Sequence, residues 1–346
     1  MPTEDFGKAD TFEVKLANAQ YLKSNKSSAG KGNSEEEESE GISAEALKCY
    51  IKAGEISKKV KEYMKEIIKK DVLLVEIADK IEAKIKELGG DMAFPTNISI
   101  DEIAAHYTPT ARDETKASGL FKVDIGVEVG GYIADTAVSF DLTDDKRYTE
   151  MIKINNEALE AALKELKVGS PMKVIGNTIS SIVEAHVSVS PDGQKAGRFK
   201  VIRNLTGHGL EKDDIHAGDT VSNLKNENEM ELADMAIAIE PFLTEGRGEI
   251  FEGKPSEIFV IQNKKTPRDR DARIMLDYIL KNYKTKPFCK RWLERAGLPK
   301  PNYCLSLLVK EGIVYNFPVL VEKERKPVSQ AEHTVVFADK VYVTTM

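Results

Sequence analysis

Apolar positions along the chain follow two periods, and the changes of period mark out its elements. From Ser43, a side chain suited to capping a helix, Leu47, Ile51, Ile56, Val60, Met64 and Ile67 recur at helical spacing. A second stripe, Ile77, Ile81, Ile85 and Leu88, predicts another helix, which Gly89-Gly90 would stop. The period then falls to two. In FKVDIGVEVGGYIADTAVSF, Phe121, Val123, Ile125 and Val127 share a face with Tyr132, Ala134, Val138 and Phe140 across a Gly130-Gly131 turn. Such alternation predicts a hairpin with one buried apolar face. Two further helices are predicted near Tyr148 to Leu166 and Lys173 to Val187, the second behind a Gly-Ser-Pro start signal. Short strands follow in LTGHGL, MAIAIEPF and EHTVVFADKVYVTT, and helical patterns return in RIMLDYILKNY and FCKRWLERAG. The reading is an α/β (α+β) chain with a main domain over 43–253 and 324–346, interrupted by an inserted helical subdomain at 254–323.

Composition adds three points. Residues 1–42 include SNKSSAGKGNSEEEESEG, with almost nothing apolar to offset the entropy of ordering, so they read as a disordered acidic arm. The chain as a whole, 41% apolar, fits a globular enzyme. The longest apolar runs fall far short of the roughly 20 residues that cross a bilayer, and no apolar segment follows the first Met, which predicts a cytoplasmic protein without membrane contact. Three cysteines, Cys49, Cys289 and Cys304, have no C-x-x-C spacing and suit a reducing compartment without structural zinc or disulfides. A formal charge of −7 leaves no general basic footprint for nucleic acid. The local basic run Lys281, Lys284, Lys286, Lys290 and Arg291 reads as a solvated face.

The candidate chemistry begins on the polar face of the hairpin. Asp124 and Asp135 lie there among Gly126, Glu128, Ala137 and Ser139. They are directly opposite in one turn register and diagonal neighbours if Gly130-Gly131 form the loop. Like carboxylates so close repel unless a proton or a cation lies between them, although a solvent-facing acidic edge would look the same in sequence. His208 sits between glycines in TGHGL, where small neighbours would let an imidazole reach an ion. Glu240 ends the apolar run MAIAIE and Glu332 opens the strand EHTVVF, and a carboxylate embedded in an apolar strand is expensive unless paired or ligated. Four carboxylates and one imidazole suffice for two divalent ions that share bridging carboxylates, a centre able to generate hydroxide at neutral pH.

These segments resemble the methionine aminopeptidases from about Leu47 to the C-terminus. AFPTNISIDEIAAHYTP is similar to that family's substrate-side histidine motif, VDIGVEVGGYIADTA to its paired-aspartate hairpin, LTGHGLEKDDIHAG to its two-histidine loop, and AIAIEPF and AEHTVV to its ligand glutamates. FCKRWLERAG and GIVYNFPVLVE resemble the winged-helix-like insert of type II members, the archaeal ones above all. The resemblance implies the pita-bread fold, a curved antiparallel sheet with the metals on its concave side. It also implies a ligand set: Asp135 and Glu332 bridging two ions, Asp124 completing one site, and His208 with Glu240 completing the other. His216 would stabilise the oxyanion, His106 would contact the scissile amide nitrogen, and Glu240 would shuttle the proton. Phe94, Ile215 and Phe242 would line the methionine slot. The implied activity is removal of the N-terminal methionine from nascent polypeptides, with preference for a small second residue. The metal could be Co, Mn, Fe or Zn, the protein is expected as a monomer, and a ribosome contact stays open.

Two features depart from the family. Phe317 stands where many type II members carry Tyr, and the acidic arm has no counterpart in the short archaeal enzymes. His186 reads as a helix-surface residue, and His333, beside a ligand, as supporting or structural. Two rivals share the fold. X-Pro aminopeptidases and prolidases carry a sizeable N-terminal domain that is lacking here, and the RNA-binding proliferation-associated relatives lose ligands that this chain retains.

Overall fold

The computed structural model describes residues 41–189, 195–263 and 265–346. The expected acidic arm lies outside the described residues except for Gly41 and Ile42. Helix α1, Ala44–Ile67, begins where the Ser43 hydroxyl accepts the Ala46 N–H, and α2 spans Leu74–Glu87. Their apolar stripes, Ile56, Val60 and Met64 with Ile77, Ile81 and Ile85, pack on Phe121, Val123, Ile125 and Val127. Those four residues belong to β3 (Leu120–Val129), which forms the expected hairpin with β4 (Tyr132–Asp141) and also pairs with β1 (Asn97–Ile100). A short strand β2, Ile103–Ala105, lies between β1 and β3 in the chain.

Gly130 and Gly131 form the two-residue loop with φ of 63° and 92°. Both angles are positive, as the right-handed twist of the flanking strands demands of such a loop. Gly126 therefore faces Asp135 while Asp124 faces Ala137, so the two aspartates are diagonal neighbours.

Helices α3 (Thr149–Glu165) and α4 (Lys173–Ala185) cover a second sheet. It contains β5 (Gly207–Glu211), β6 (Asp214–Val221), β7 (Met235–Ile239), β12 (His333–Phe337) and β13 (Val341–Val343), in the order β6-β5-β7-β12-β13. Between β7 and β12 the chain forms β8 (Phe242–Thr244), β9 (Ile250–Ile261), β10 (Val314–Glu322) and β11 (Val328–Gln330). Every pairing among these sheets is antiparallel. Helices pack outside and polar residues face inward, as in the pita-bread fold.

Residues 254–323 contain more strand than their sequence pattern predicts. β9 runs to Ile261 and β10 from Val314, with register shifts near Pro255. Helices α5 (Arg270–Asn282), α6 (Lys290–Arg295) and α7 (Pro301–Lys310) rest on the end of this ribbon around Phe288, Leu293 and Leu308. The basic run is a solvated face only at Lys281 and Lys284, and its other three residues turn inward. Arg291 is fully buried against Glu82 and Asp79, Lys286 is buried in an ion pair with Glu128, and Lys284 and Lys290 pair with Asp213 and Glu257. Their partners come from α2, the hairpin, the β5–β6 turn and β9, none of which is a sequence neighbour.

Candidate metal centre and substrate pocket

Three separate pieces of chain deliver the acidic groups. Asp124 and Asp135 point inward from the hairpin, on the face opposite the α1–α2 core. On the second sheet Ile239 pairs with His333, so Glu240 and Glu332 leave β7 and β12 side by side. His208 lies on β5 opposite Ala238 of β7. Its Nε2 is 3.6 Å from an Asp135 oxygen and 3.5 Å from a Glu240 oxygen, and Asp135, His208 and Glu332 converge tightly enough to hold one cation.

The glycines beside His208 serve the backbone more than the imidazole. A Cβ on Gly207 would lie 2.1 Å from the Ala238 carbonyl, and one on Gly209 would lie 2.0 Å from that of Ala217. Only glycine lets the neighbouring strands close on β5 from both sides.

Hydroxyl groups hold the two sheets together at the ligands. The Thr334 hydroxyl accepts the Asp135 N–H at 2.7 Å and donates to the Asp135 carbonyl at 2.8 Å. Thr136 donates to the Glu332 carbonyl at 2.7 Å, and Lys61 from α1 donates to Thr136 and to the Thr345 carbonyl. Ser139 makes the same reciprocal pair with Gln330, donating to its carbonyl and accepting its N–H, and the Gln330 amide reaches Asp124 at 3.4 Å. Sequence reasoning missed Lys61, Thr136, Ser139, Gln330, Thr334 and Thr345 as site supports. Thr334 and Thr136 do lie within the quoted motifs beside ligands.

The electrostatics fit a divalent cation. Burial pushes the Asp124 carboxyl up to about 7, while burial and the Asp124 charge hold Asp135 well above the usual carboxylate range. Burial and the neighbouring carboxylates Asp135 and Glu240 do the same to Glu332. One oxygen each of Asp124, Asp135 and Glu332 is buried without a hydrogen-bond donor. His208 Nδ1 lies 3.2 Å from the Gly209 carbonyl, which fixes the proton on that nitrogen and turns the Nε2 lone pair toward the carboxylates. Lone pairs aimed at one another in a buried space are stabilised by a cation, and burial keeps this imidazole neutral, with its pKa lowered to about 4.

Beside the cluster opens a pocket with a cavity volume of about 60 Å³, lined on one side by Asp124, Asp135, His208, Glu240 and Glu332 and on the other by Phe94, Ile215, Phe242, Phe317 and Ile258. His106 and His216 line it between the two, so every residue singled out from the sequence as ligand, catalytic group or slot wall meets in this one space. Asn97, Ala105, Leu205 and Pro287 also line it and had no chemical signal of their own. The His216 ring meets His208 edge to face at 4.6 Å between centroids, and His106 meets Phe317 at 5.2 Å. Burial lowers both pKa values, that of His106 to about 4 and that of His216 well below its usual range, the latter helped by the other two imidazoles. His106 is held at φ 62°, an uncommon angle for a non-glycine residue, with Nδ1 3.2 Å from the Pro318 carbonyl. The remaining histidines lie apart: His186 ends α4 near Glu157, and His333 Nδ1 contacts the Thr345 hydroxyl at 2.8 Å, away from the pocket lining.

A carboxylate-rich centre with one imidazole, set beside an apolar slot, defines a metal-dependent hydrolase site. The chain matches metallopeptidase family M24 over residues 48–278. It is 36% identical over 306 residues to the methionine aminopeptidase of Methanocaldococcus jannaschii, covering 87% of this chain and 99% of that one. Among solved structures, a thermophilic Arx1 superposes with a TM-score of 0.72 at 16% identity, covering 88% of this chain and 91% of its own. The methionine aminopeptidase of Thermotoga maritima does so with 0.61 at 18% identity, covering 88% and 97%. At such identities the two structures speak for the fold alone. The chain belongs to metallopeptidase family M24, and its sequence places it with the methionine aminopeptidases. Among the described residues, no helix is long and apolar enough to cross a membrane.

Proposed function

We propose that this aminopeptidase releases methionine from the N-terminus of polypeptides, favouring a small second residue. The observation that carries the reading is the direct opening of the Phe94–Ile215–Phe242 slot onto the carboxylate–imidazole cluster, with His106 and His216 at the junction. A thioether side chain fits such an apolar slot, and the bond behind it would then lie over the cluster. In this reading two divalent ions would be held by these side chains, Asp135 and Glu332 serving both, Asp124 one of them, and His208 with Glu240 the other. Bound there, the ions supply Lewis acidity and lower the pKa of water for attack on the peptide carbonyl.

The protein groups do the rest. His216 is neutral at physiological pH and donates a hydrogen bond to the carbonyl oxygen as charge develops on it. His106 holds the scissile amide nitrogen from the opposite wall, and Glu240 takes a proton and returns it to the leaving amine. Phe317 contributes apolar surface against His106 and Tyr315, where a tyrosine would bring a hydroxyl. Residues 254–323 act as a subdomain that closes one side of the pocket through Ile258, Pro287 and Phe317.

The test is methionine release from Met-Ala-Ser and Met-Pro-Ala by protein stripped with chelator and then given Mn or Co, with Ala-Pro-Ala as control. Metal-restored cleavage of only the Met peptides is expected. Cleavage of Ala-Pro-Ala in their place would assign an X-Pro specificity, and no cleavage despite bound metal would end the enzymatic reading.

A further inference from the structure

The buried basic residue of the insert does more than join two parts of the chain. Arg291 makes a two-pronged pair with Glu82 at 2.7 and 2.8 Å, reaches Asp79 at 2.8 Å, and donates through Nε to the Pro109 carbonyl at 3.2 Å. Glu82 also accepts the indole N–H of Trp292 at 2.8 Å and, more weakly, the Thr96 backbone N–H at 3.4 Å. Thr96 lies between the pocket residues Phe94 and Asn97, and Pro109 lies three residues beyond His106. The two segments also bind each other: the Ile98 N–H donates to the Tyr107 carbonyl at 2.7 Å, and the Thr108 hydroxyl to the Thr96 carbonyl at 2.9 Å. One ion pair thus grips both stretches that carry the substrate side of the pocket.

We propose that Arg291 and Glu82 are positioning residues that fix Phe94 and His106 for substrate, so that the insert sets the geometry of the slot it borders. A pair so deeply buried is an uneconomical way to gain stability, because well-packed apolar side chains of similar volume often hold a fold equally well. What charge and a planar fork add is fixed direction. Direction is needed here because His106, one residue past the end of β2, keeps a left-handed backbone angle that no strand pairing imposes. The substrate side touches the ligands through the β1–β3 pairing, where Asn97 lies opposite Asp124, but Asp135 and Glu332 are held from elsewhere, by the hydroxyl contacts of Thr334 and Thr136. Losing the pair should therefore disturb the substrate side and spare the metals.

This inference rests on the proposed peptidase reading, and its test separates the two. The double variant Glu82→Met/Arg291→Met leaves neither charge of the central pair behind, and Arg291→Lys keeps the charge without the fork. In the double variant, amide hydrogen exchange read by mass spectrometry should quicken at 94–98 and 106–109 and stay unchanged at 132–141, the hairpin strand that carries Asp135 and does not pair with β1. KM for Met-Ala-Ser should rise about tenfold, with kcat within about threefold and metal affinity within about twofold, matching the loss of roughly one directed contact. Arg291→Lys should fall between the two proteins. Unchanged exchange at both segments overturns the proposal, as does faster exchange with an unaltered KM or a loss of metal equal to the loss of activity. If the wild-type protein cleaves no Met peptide, the peptidase reading fails, and the exchange measurement still decides whether the pair fixes the two segments.

Discussion

Thr334→Val is the sharpest probe of how the metal centre is held. Thr334 is fully buried, and its hydroxyl is the partner of both the N–H and the carbonyl of Asp135, at 2.7 and 2.8 Å. Valine keeps the shape and deletes the hydroxyl, so no cavity opens and two buried backbone groups lose their partner. Leaving a buried polar group unsatisfied costs about 1–3 kcal/mol, so the pair should cost roughly 2–5 kcal/mol, the upper end allowing for some relaxation. Urea unfolding of the metal-stripped protein measures this as a lower midpoint at unchanged slope. Thr334→Ser keeps the hydroxyl and loses a methyl, and should cost only about 1 kcal/mol. With the Asp135 peptide released, metal affinity in a chelator competition should also fall, by about 10–100-fold as for other supports behind a ligand. A loss below about 0.5 kcal/mol for valine, or equal losses for valine and serine, would refute the claim that these two bonds stitch the hairpin to the second sheet.

Other consequences of the geometry can be measured directly. His216→Ala should lower turnover with little loss of metal, whereas Asp135→Ala should lose metal as well; equal metal loss by elemental analysis would undo the division of roles. Without metal, the raised carboxyls of Asp124, Asp135 and Glu332 bind more protons in the folded than in the unfolded chain above about pH 4, so their own contribution to folding stability should fall as pH rises toward 7 and beyond. The lowered imidazoles of His106, His208 and His216 act in the opposite sense below about pH 6.5, so the carboxyl effect is read as a difference: in chelator, the melting temperature of Asp124→Asn relative to the wild-type protein should rise between pH 5 and 8, and a flat difference would contradict the raised carboxyl. At Gly126 a Cβ would sit 2.3 Å from the Phe94 ring, so Gly126→Ala should push that ring into the slot and raise KM for Met peptides severalfold; an unchanged KM would show that the ring moves aside freely.

How far the sequence revealed this molecule depended on whether a signal was local. The α1, α2, α3 and α4 helices and the hairpin each declare themselves within a few turns or one alternation, because every residue that decides them is a near neighbour in the chain. Even the aspartate register followed once Gly130 and Gly131 occupied the loop. Segments whose partners are distant read poorly. In β9 the alternation is broken by Gly253 and Pro255, and the strand is held by pairing to β10, more than fifty residues away. The apolar run in PNYCLSLLVK, which forms α7, cannot be told from a strand by period, and only Pro301 in the first turn favours the helix.

The site divides in the same way. Its carboxylates and histidines were legible because charged and imidazole groups are conspicuous in apolar or glycine-rich surroundings. The groups that hold them were not, because a buried threonine or serine looks like any strand residue until its partner is known. Arg291 shows the limit most clearly. Within its own segment it is one cation of a basic run, and a basic run is ordinarily solvated. Its buried partner Glu82 lies 209 residues earlier, on α2 and outside the apolar stripe of Ile77, Ile81, Ile85 and Leu88. Neither half of the pair carries a sign of the other. The chemistry of the centre is therefore written locally, in residues that could be named one by one, while the precision with which the fold presents that chemistry is written in pairs across the chain.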